Sequence, residues 1–288
     1  MSRSAPARLL RHLFGPTVLG LALAGCGTQI TTPPGERDGP GEHRDVSHVP
    51  DAVPRVEPRS RGGNPTSYVV FGKRYHTLPH SRGFVERGIA SWYGRKFHGR
   101  KTSNGEVYDM YTMSAAHKSL PIPTYVQVTN LENGRRVIVR VNDRGPFHDN
   151  RVIDLSYAAA SRIGMLGKGT ALVEVRAIDP SAPKEPPTTR VAEAKPALAK
   201  PGGAAPAGTP APRIYLQAGA FSSSLNARRL RDRLSQALDH QVRVAPASTP
   251  GGAVHRVQVG PLASVEIADR ISSQMHQFGI SEPLVVID

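Results

Sequence analysis

The stretch Ser103–His117, SNGEVYDMYTMSAAH, brings Glu106, Asp109 and His117 close together just after a Gly-bearing turn. Carboxylates beside an imidazole can move protons near neutral pH when burial or a neighbouring charge shifts their pKa. A further acid, Asp143, stands in Val141-Asn-Asp-Arg-Gly-Pro-Phe147, where the run RRVIVRV (135–141) ends and Gly145-Pro146 turns the chain. The plainer readings are a polar hairpin for the first group and a turn-forming Asp for the second. Neither group has the makings of a metal centre. His76, His80, His98 and His148 lack paired ligand spacing on one element, and the single cysteine, Cys26, adds nothing to them. No metal or other cofactor is expected, and Gly251-Gly252 precedes no phosphate-loop pattern.

The elements that must hold these residues are β-strands. GIASWYG (88–94), TYVQVTN (124–130), RRVIVRV and ALVEVRAI (171–178) alternate or run apolar at strand length. Asn133-Gly134 between the second and third of these is a strong hairpin signal. One helix is expected in LSYAAASRI, capped by Asp154 and ended by Gly164. Several strands, many turns and little helix describe a small β-barrel rather than a βαβ sheet.

A second compact piece contains an internal repeat. Ile214–Phe221 (IYLQAGAF) aligns with His255–Leu262 (HRVQVGPL), so that Gln217 and Gly219 fall on Gln258 and Gly260. Each copy is followed by a helical pattern, 226–238 and 266–278, and then by a strand, QVRVAP or PLVVID. Two β-α-β units make a ferredoxin-like α+β sandwich.

The rest of the chain separates and delivers these pieces. Residues 26–67 and 180–212 are rich in Pro, Gly and charge without apolar periodicity, and read as a disordered tether and a disordered Pro/Ala-rich linker. Residues 1–25 carry Arg3, Arg8 and Arg11, then a short apolar run, as a secretory signal does. The signal ends in Leu-Ala-Gly-Cys26, which resembles a bacterial lipobox; the resemblance makes Cys26 a lipidated N-terminus. Gly27, where inner-membrane lipoproteins often carry Asp, favours the periplasmic face of the outer membrane. The formal net charge of +14 favours polyanionic partners. Nucleic acid is excluded among them, because no RNP1-like run is present and an exported protein meets no cytoplasmic RNA.

Four blocks in order, GIASWYG, FHGRKTSNGEVYDMYTMSAAHKSLP, VNDRGPF and RVIDLSYAAASRIG, resemble the double-psi β-barrel of the rare lipoprotein A (RlpA) family of endolytic peptidoglycan transglycosylases. The resemblance covers 68–179, and YLQAGAF with VQVGPL gives residues 213–288 a resemblance to the SPOR domain, which binds glycan strands stripped of stem peptides at the division septum. The family implies that Glu106, His117 and Asp143 are needed for activity. Of these, Asp143 is taken as the general acid that protonates the leaving oxygen and then takes the C6 hydroxyl proton, with Glu106 and His117 tuning it or holding the sugar. One carboxylate changing roles is chemically sufficient, since the product is an anhydro ring and no water is activated. Arg144 is expected to bind a muramic carboxylate, Tyr108 to stack on sugar, and Gln217 and Phe221 to meet glycan on the SPOR sheet. Tyr111, Trp92 and Tyr93 are weaker stacking candidates, and Asp109 reads as an exposed charge. The expected partners are denuded glycan strands, the membrane through the lipid, and divisome proteins. The competing reading keeps every domain and removes turnover: a non-catalytic septal peptidoglycan-binding lipoprotein.

Overall fold

The computed structural model describes residue 39 and residues 44–148, 150–182 and 212–288. The signal segment, Cys26, the first part of the expected tether and most of the expected linker lie outside the described residues.

A two-stranded hairpin, β1 (Ser67–Val70) and β2 (Lys73–His76), precedes a closed six-stranded barrel. The barrel strands are β3 (Val85–Tyr93), β4 (Ser114–His117), β5 (Thr124–Asn130), β6 (Arg136–Asp143), β7 (Arg151–Ser156) and β8 (Ala171–Ala177). Around the barrel their order is β3-β7-β4-β6-β5-β8. β3 runs parallel to β7 and β4 parallel to β6, while the other neighbours are antiparallel.

Period-two patterning closes this barrel. Val126 and Val128 on β5, Val137, Val139 and Val141 on β6, and Val173 and Val175 on β8 are fully buried, as alternate residues on one face of a strand should be. The β5–β6 hairpin expected at Asn133-Gly134 forms there, with Gly134 at φ +72°. β4 was not legible as a strand; all four of its residues are buried, between β6 and β7.

The helix begins later than expected. Ser156 caps α1 (Tyr157–Arg162), its Oγ accepting the Ala159 N–H at 3.2 Å. Asp154 is therefore not a cap but a residue of strand β7. Gly164 follows the helix at φ +73°.

Residues 44–66 were expected to belong to a disordered tether and instead lie along the barrel as an extended strap. Val46 joins the core with 5% of its surface exposed. Ala52 N donates to Ile138 O at 2.9 Å, and Ser60 N to Ile122 O at 2.9 Å. The Asn64 side chain donates to Ile122 O at 2.7 Å and accepts the Ile122 N–H at 2.8 Å. Asp51 pairs with Arg162 at 3.0 Å. Apart from Val46, Val49 and Ala52, which pack on the core, this segment holds on by backbone bonds and ion pairs, and these leave no hydrophobic period to betray it.

The C-terminal domain has β9 (Ile214–Phe221), α2 (Ser224–Ala237), β10 (Val242–Thr249), β11 (Gly252–Leu262), α3 (Val265–Met275) and β12 (Leu284–Ile287). The sheet order β10-β11-β9-β12, with every pair antiparallel, is the ferredoxin-like arrangement. The strands carrying the repeat pair with each other, Gln217 opposite Gln258.

Candidate active site

Four barrel strands align one residue each into a transverse row. Ser91 on β3 pairs with Asp154 on β7, Asp154 with Ala116 on β4, and Ala116 with Asp143 on β6. Cross-strand partners project from the same face, so the two aspartates flank the Ala116 methyl. Two strand spacings separate their backbones, about 10 Å. All four residues line one cleft of about 450 Å³, walled by Trp92, Tyr93, Phe97 and Phe147.

Local irregularities build this row. The β4–β6 register slips between Ala115 and Ala116, skipping Asn142 and bringing Asp143 opposite Ala116; bulges commonly re-aim a side chain in this way. Asn142 turns to Glu106 instead, donating at 2.9 Å. Gly145, at φ +138°, passes over the floor. A Cβ there would sit 3.7 Å from the Ala116 Cβ and 3.9 Å from Asp154 Oδ2, so a larger side chain would fill the space between the acids.

The two carboxylates have different surroundings. Asp143 Oδ1 accepts the Ser103 N–H at 2.8 Å and the Arg144 N–H at 2.7 Å, which fixes its orientation. Asp154 accepts the Ser91 hydroxyl, and its burial raises its pKa against the opposing pull of Ser91 and of the Arg151, Lys118 and His148 charges. The Tyr93 phenol is buried and its pKa stands well above the ordinary value, through burial first and then through the Asp143 and Asp154 carboxylates, so its hydroxyl lies near both acids. A carboxyl whose burial favours its protonated form, across the cleft floor from an oriented carboxylate, can form a donor–acceptor pair for general acid–base work.

The structure brings Asp143 into this cleft but does not bring Glu106 or His117 there as proton-transfer groups. Glu106 lines a separate depression of about 570 Å³ with Arg140, Asn142, Ser114 and Tyr125. Arg140 Nη1 donates to both of its oxygens at 3.0 and 2.8 Å, and its pKa is lowered, with burial opposed by the Arg140 and Asn142 hydrogen bonds. His117 follows Ala116 on β4, so its ring projects from the opposite face. Its Nδ1 accepts the Ser119 and Leu120 N–H groups at 3.1 and 3.0 Å, and its Nε2 meets Glu86 at 3.2 Å. Burial lowers its pKa despite Glu86, so the ring is a neutral brace with Nε2–H donating.

Three expected binding residues also have other employment. Arg144 donates Nε–H to Gly63 O at 2.8 Å, Nη1–H to His117 O at 3.0 Å and to Leu120 O at 2.5 Å, and Nη2–H to Asn64 Oδ1 at 3.3 Å. Its fork thus ties three loops together, while the residue also lines the cleft. Tyr108 is 2% exposed, stacked on Tyr93 at 4.1 Å, and its hydroxyl donates to Tyr93 O at 2.6 Å. Phe221 packs against the C-terminal core and over Gly219, where a Cβ would meet its ring at 3.0 Å. Gln217 lies half-buried in the sheet between Gln258 and Leu284. Asp109 accepts the Tyr111 N–H at 2.9 Å and stands 3.6 Å from His98.

Sequence reading missed Asp154 and Ser91. The available signal was a lone acid between Ile153 and Leu155 in RVIDLS, an apolar strand in which an unpaired charge needs a reason.

Comparison with known proteins matches residues 85–175 to the family model described as lytic transglycolase and residues 210–286 to the SPOR domain. The chain is thus a double-psi barrel of the lytic transglycolase class followed by a SPOR domain. A Pseudomonas aeruginosa protein named endolytic peptidoglycan transglycosylase RlpA is 38% identical over 97% of this chain and 98% of its own length. Proteins of the same name from Vibrio cholerae (53% identical; 62% of this chain, 67% of the relative) and Neisseria meningitidis (41%; 81% and 89%) also match. The chain belongs to the RlpA family.

Proposed function

We propose that this protein is an endolytic peptidoglycan transglycosylase that cleaves glycan strands lacking stem peptides and leaves 1,6-anhydromuramic ends. The observation that carries the reading is the row Ser91–Asp154–Ala116–Asp143, two carboxylates in unlike environments on the floor of one cleft. The shared name of the relatives supports the substrate class.

We assign the role of general acid to Asp154 rather than to Asp143, because Asp154 accepts the Ser91 hydroxyl on the cleft floor and its burial favours the protonated form. Asp154 gives that proton to the glycosidic oxygen as the bond from muramic C1 to that oxygen breaks. The C6 hydroxyl of the same sugar attacks C1 and loses its proton to Asp143, which Ser103 and Arg144 hold oriented. The ring closes without water, and the two acids return to their starting protonation by exchange with solvent. Trp92, Phe97 and Phe147 offer apolar walls to the sugar faces. Glu106 and His117 hold the surrounding loops.

The SPOR domain brings the barrel to denuded glycan at the septum, and Cys26, lipidated, retains the protein at the periplasmic face of the outer membrane. The basic charge of the chain suits an acidic wall polymer.

The test is digestion of amidase-treated sacculi, with soluble products read by mass spectrometry. Anhydromuramic products from wild type that disappear in Asp154→Asn and Asp143→Ala are expected. Binding of glycan with no soluble product would sink the enzyme reading and leave the non-catalytic one. Palmitate labelling lost in Cys26→Ala tests the anchor.

A further inference from the structure

The strap reaches Asp143 from both sides. Glu57 accepts Arg140 Nε–H at 3.1 Å and Nη2–H at 2.9 Å, while Arg140 Nη1 grips Glu106 and Glu106 accepts from Asn142, the residue before Asp143. Tyr125 and Arg55 donate to the same Glu57 carboxylate at 2.5 and 3.0 Å. Further along, Gly62 and Gly63 run against the backbone of Ser103. A Cβ at Gly62 would fall 3.0 Å from Ser103 O, and one at Gly63 3.2 Å from the same carbonyl. Ser103 supplies one of the two N–H groups on Asp143. The other comes from Arg144, whose guanidinium is held by Gly63 O and Asn64 Oδ1.

Every group that orients the Asp143 carboxylate is therefore backed by residues 55–64. The apolar packing of the strap lies upstream, at Val46, Val49 and Ala52, whereas the contacts that reach Ser103, Arg140 and Arg144 are polar or backbone contacts. We infer that the strap Arg55–Asn64 is a positioning element of the catalytic apparatus, with Glu57 as its charged anchor. The inference rests on the reading of Asp143 as a reacting group.

Glu57 is suited to the task because it stays ionised. Its carboxyl is lowered to about 2, by Arg140 first, against burial, and with help from Tyr125 and Arg55. Arg140 thus stands between two carboxylates, and neutralising one lets its side chain move wholly toward Glu106. That shift travels along the hairpin closed by the Lys101–Val107 bridge to Ser103. A displacement of a few tenths of an ångström at Asp143 is enough to misalign proton transfer.

The test compares the full chain with Glu57→Gln, Glu57→Asp and Gly62→Ala. It measures kcat and KM on solubilised denuded glycan, hydrogen exchange at the Ser103 amide, and thermal melting. Glu57→Gln is expected to lower kcat about 10-fold with KM unchanged and to speed Ser103 exchange, with Glu57→Asp recovering part of both. Gly62→Ala, which changes no charge, should speed Ser103 exchange and lower kcat by pressing on Ser103 O. Wild-type kcat and wild-type Ser103 protection in Glu57→Gln would overturn the inference. So would a loss of activity that merely follows the unfolded fraction while Ser103 exchange in the folded protein is unchanged. If wild type itself releases no product, the transglycosylase reading fails, and Ser103 exchange alone decides whether the strap positions the loop.

Discussion

Replacing Arg144 by alanine separates a scaffold role from a sugar-binding role. In the structure the guanidinium donates to the carbonyls of Gly63, His117 and Leu120, at 2.8, 3.0 and 2.5 Å, and burial lowers its pKa. A hydrogen bond from a charged donor is worth about 1.5–3 kcal/mol, and unpaired buried carbonyls add a desolvation cost. Water will reach some of these carbonyls in the variant, so the three bonds do not add in full. About 3–5 kcal/mol of lost stability is expected. For a barrel and strap of this size that corresponds to a fall in Tm of roughly 10–20 °C. The assay is thermal melting by circular dichroism, paired with glycan cleavage well below both midpoints. A structural brace predicts a large fall in Tm, and a kcat reduced because the backbone N–H at position 144, kept in the variant, is no longer held in place for Asp143 by the guanidinium contacts. A sugar-carboxylate ligand predicts a raised KM with Tm within about 2 °C of wild type, given the small effect of exposed substitutions. The latter result would refute the reasoning, because it would mean that the carbonyl contacts contribute nothing.

Asp154→Asn should reduce kcat by about 10²–10⁴-fold, as expected for removal of a general acid. Because burial raises the folded pKa of Asp154, ionising it costs stability once pH passes the unfolded value of about 3.9. The Asn variant should therefore melt higher than wild type at neutral to alkaline pH, with the difference shrinking in acid; a lower Tm at pH 8 would count against the assignment. Glu57 has the opposite sign: lowered to about 2, it contributes stability above about pH 4.5 that is lost as pH falls toward 2. Acid unfolding of Glu57→Gln should be shallower over that window, by no more than about 3 kcal/mol. His117→Ala leaves the Ser119 and Leu120 N–H groups unpaired in a buried site, and about 3 kcal/mol of destabilisation should follow. Chemical denaturation measures it, and activity per folded molecule should fall far less than in Asp154→Asn. Tyr108→Phe should cost about 1 kcal/mol through the lost bond to Tyr93 O and leave KM unchanged; a several-fold rise in KM would mean that the Tyr108 hydroxyl meets the sugar instead.

Much of the architecture was legible because it depends on local chemistry. β5 is found at the residues where alternation placed it, and the Asn133-Gly134 turn closes its hairpin. The repeat around Gln217 and Gln258 pairs as adjacent strands of one sheet. The strap escaped detection because its attachments are backbone bonds and ion pairs to residues 60 or more positions away, as in Ser60 with Ile122 and Glu57 with Arg140. No local period encodes such contacts.

The site divides in the same way. The sequence by itself determined that Asp143 ends a barrel strand at a Gly-Pro turn, that acids and a histidine surround it, and which family those blocks resemble. Only the tertiary structure decided which of them share a cleft. Side chains alternate along a strand, so Ala116 faces the cleft and His117, one residue on, faces away. The slip at Ala115–Ala116 then turns Asn142 toward Glu106 and Asp143 toward Asp154. Neighbours in the chain are thereby sent to opposite faces, while Asp143 and Asp154, eleven positions apart, are joined by the strand between them, β4.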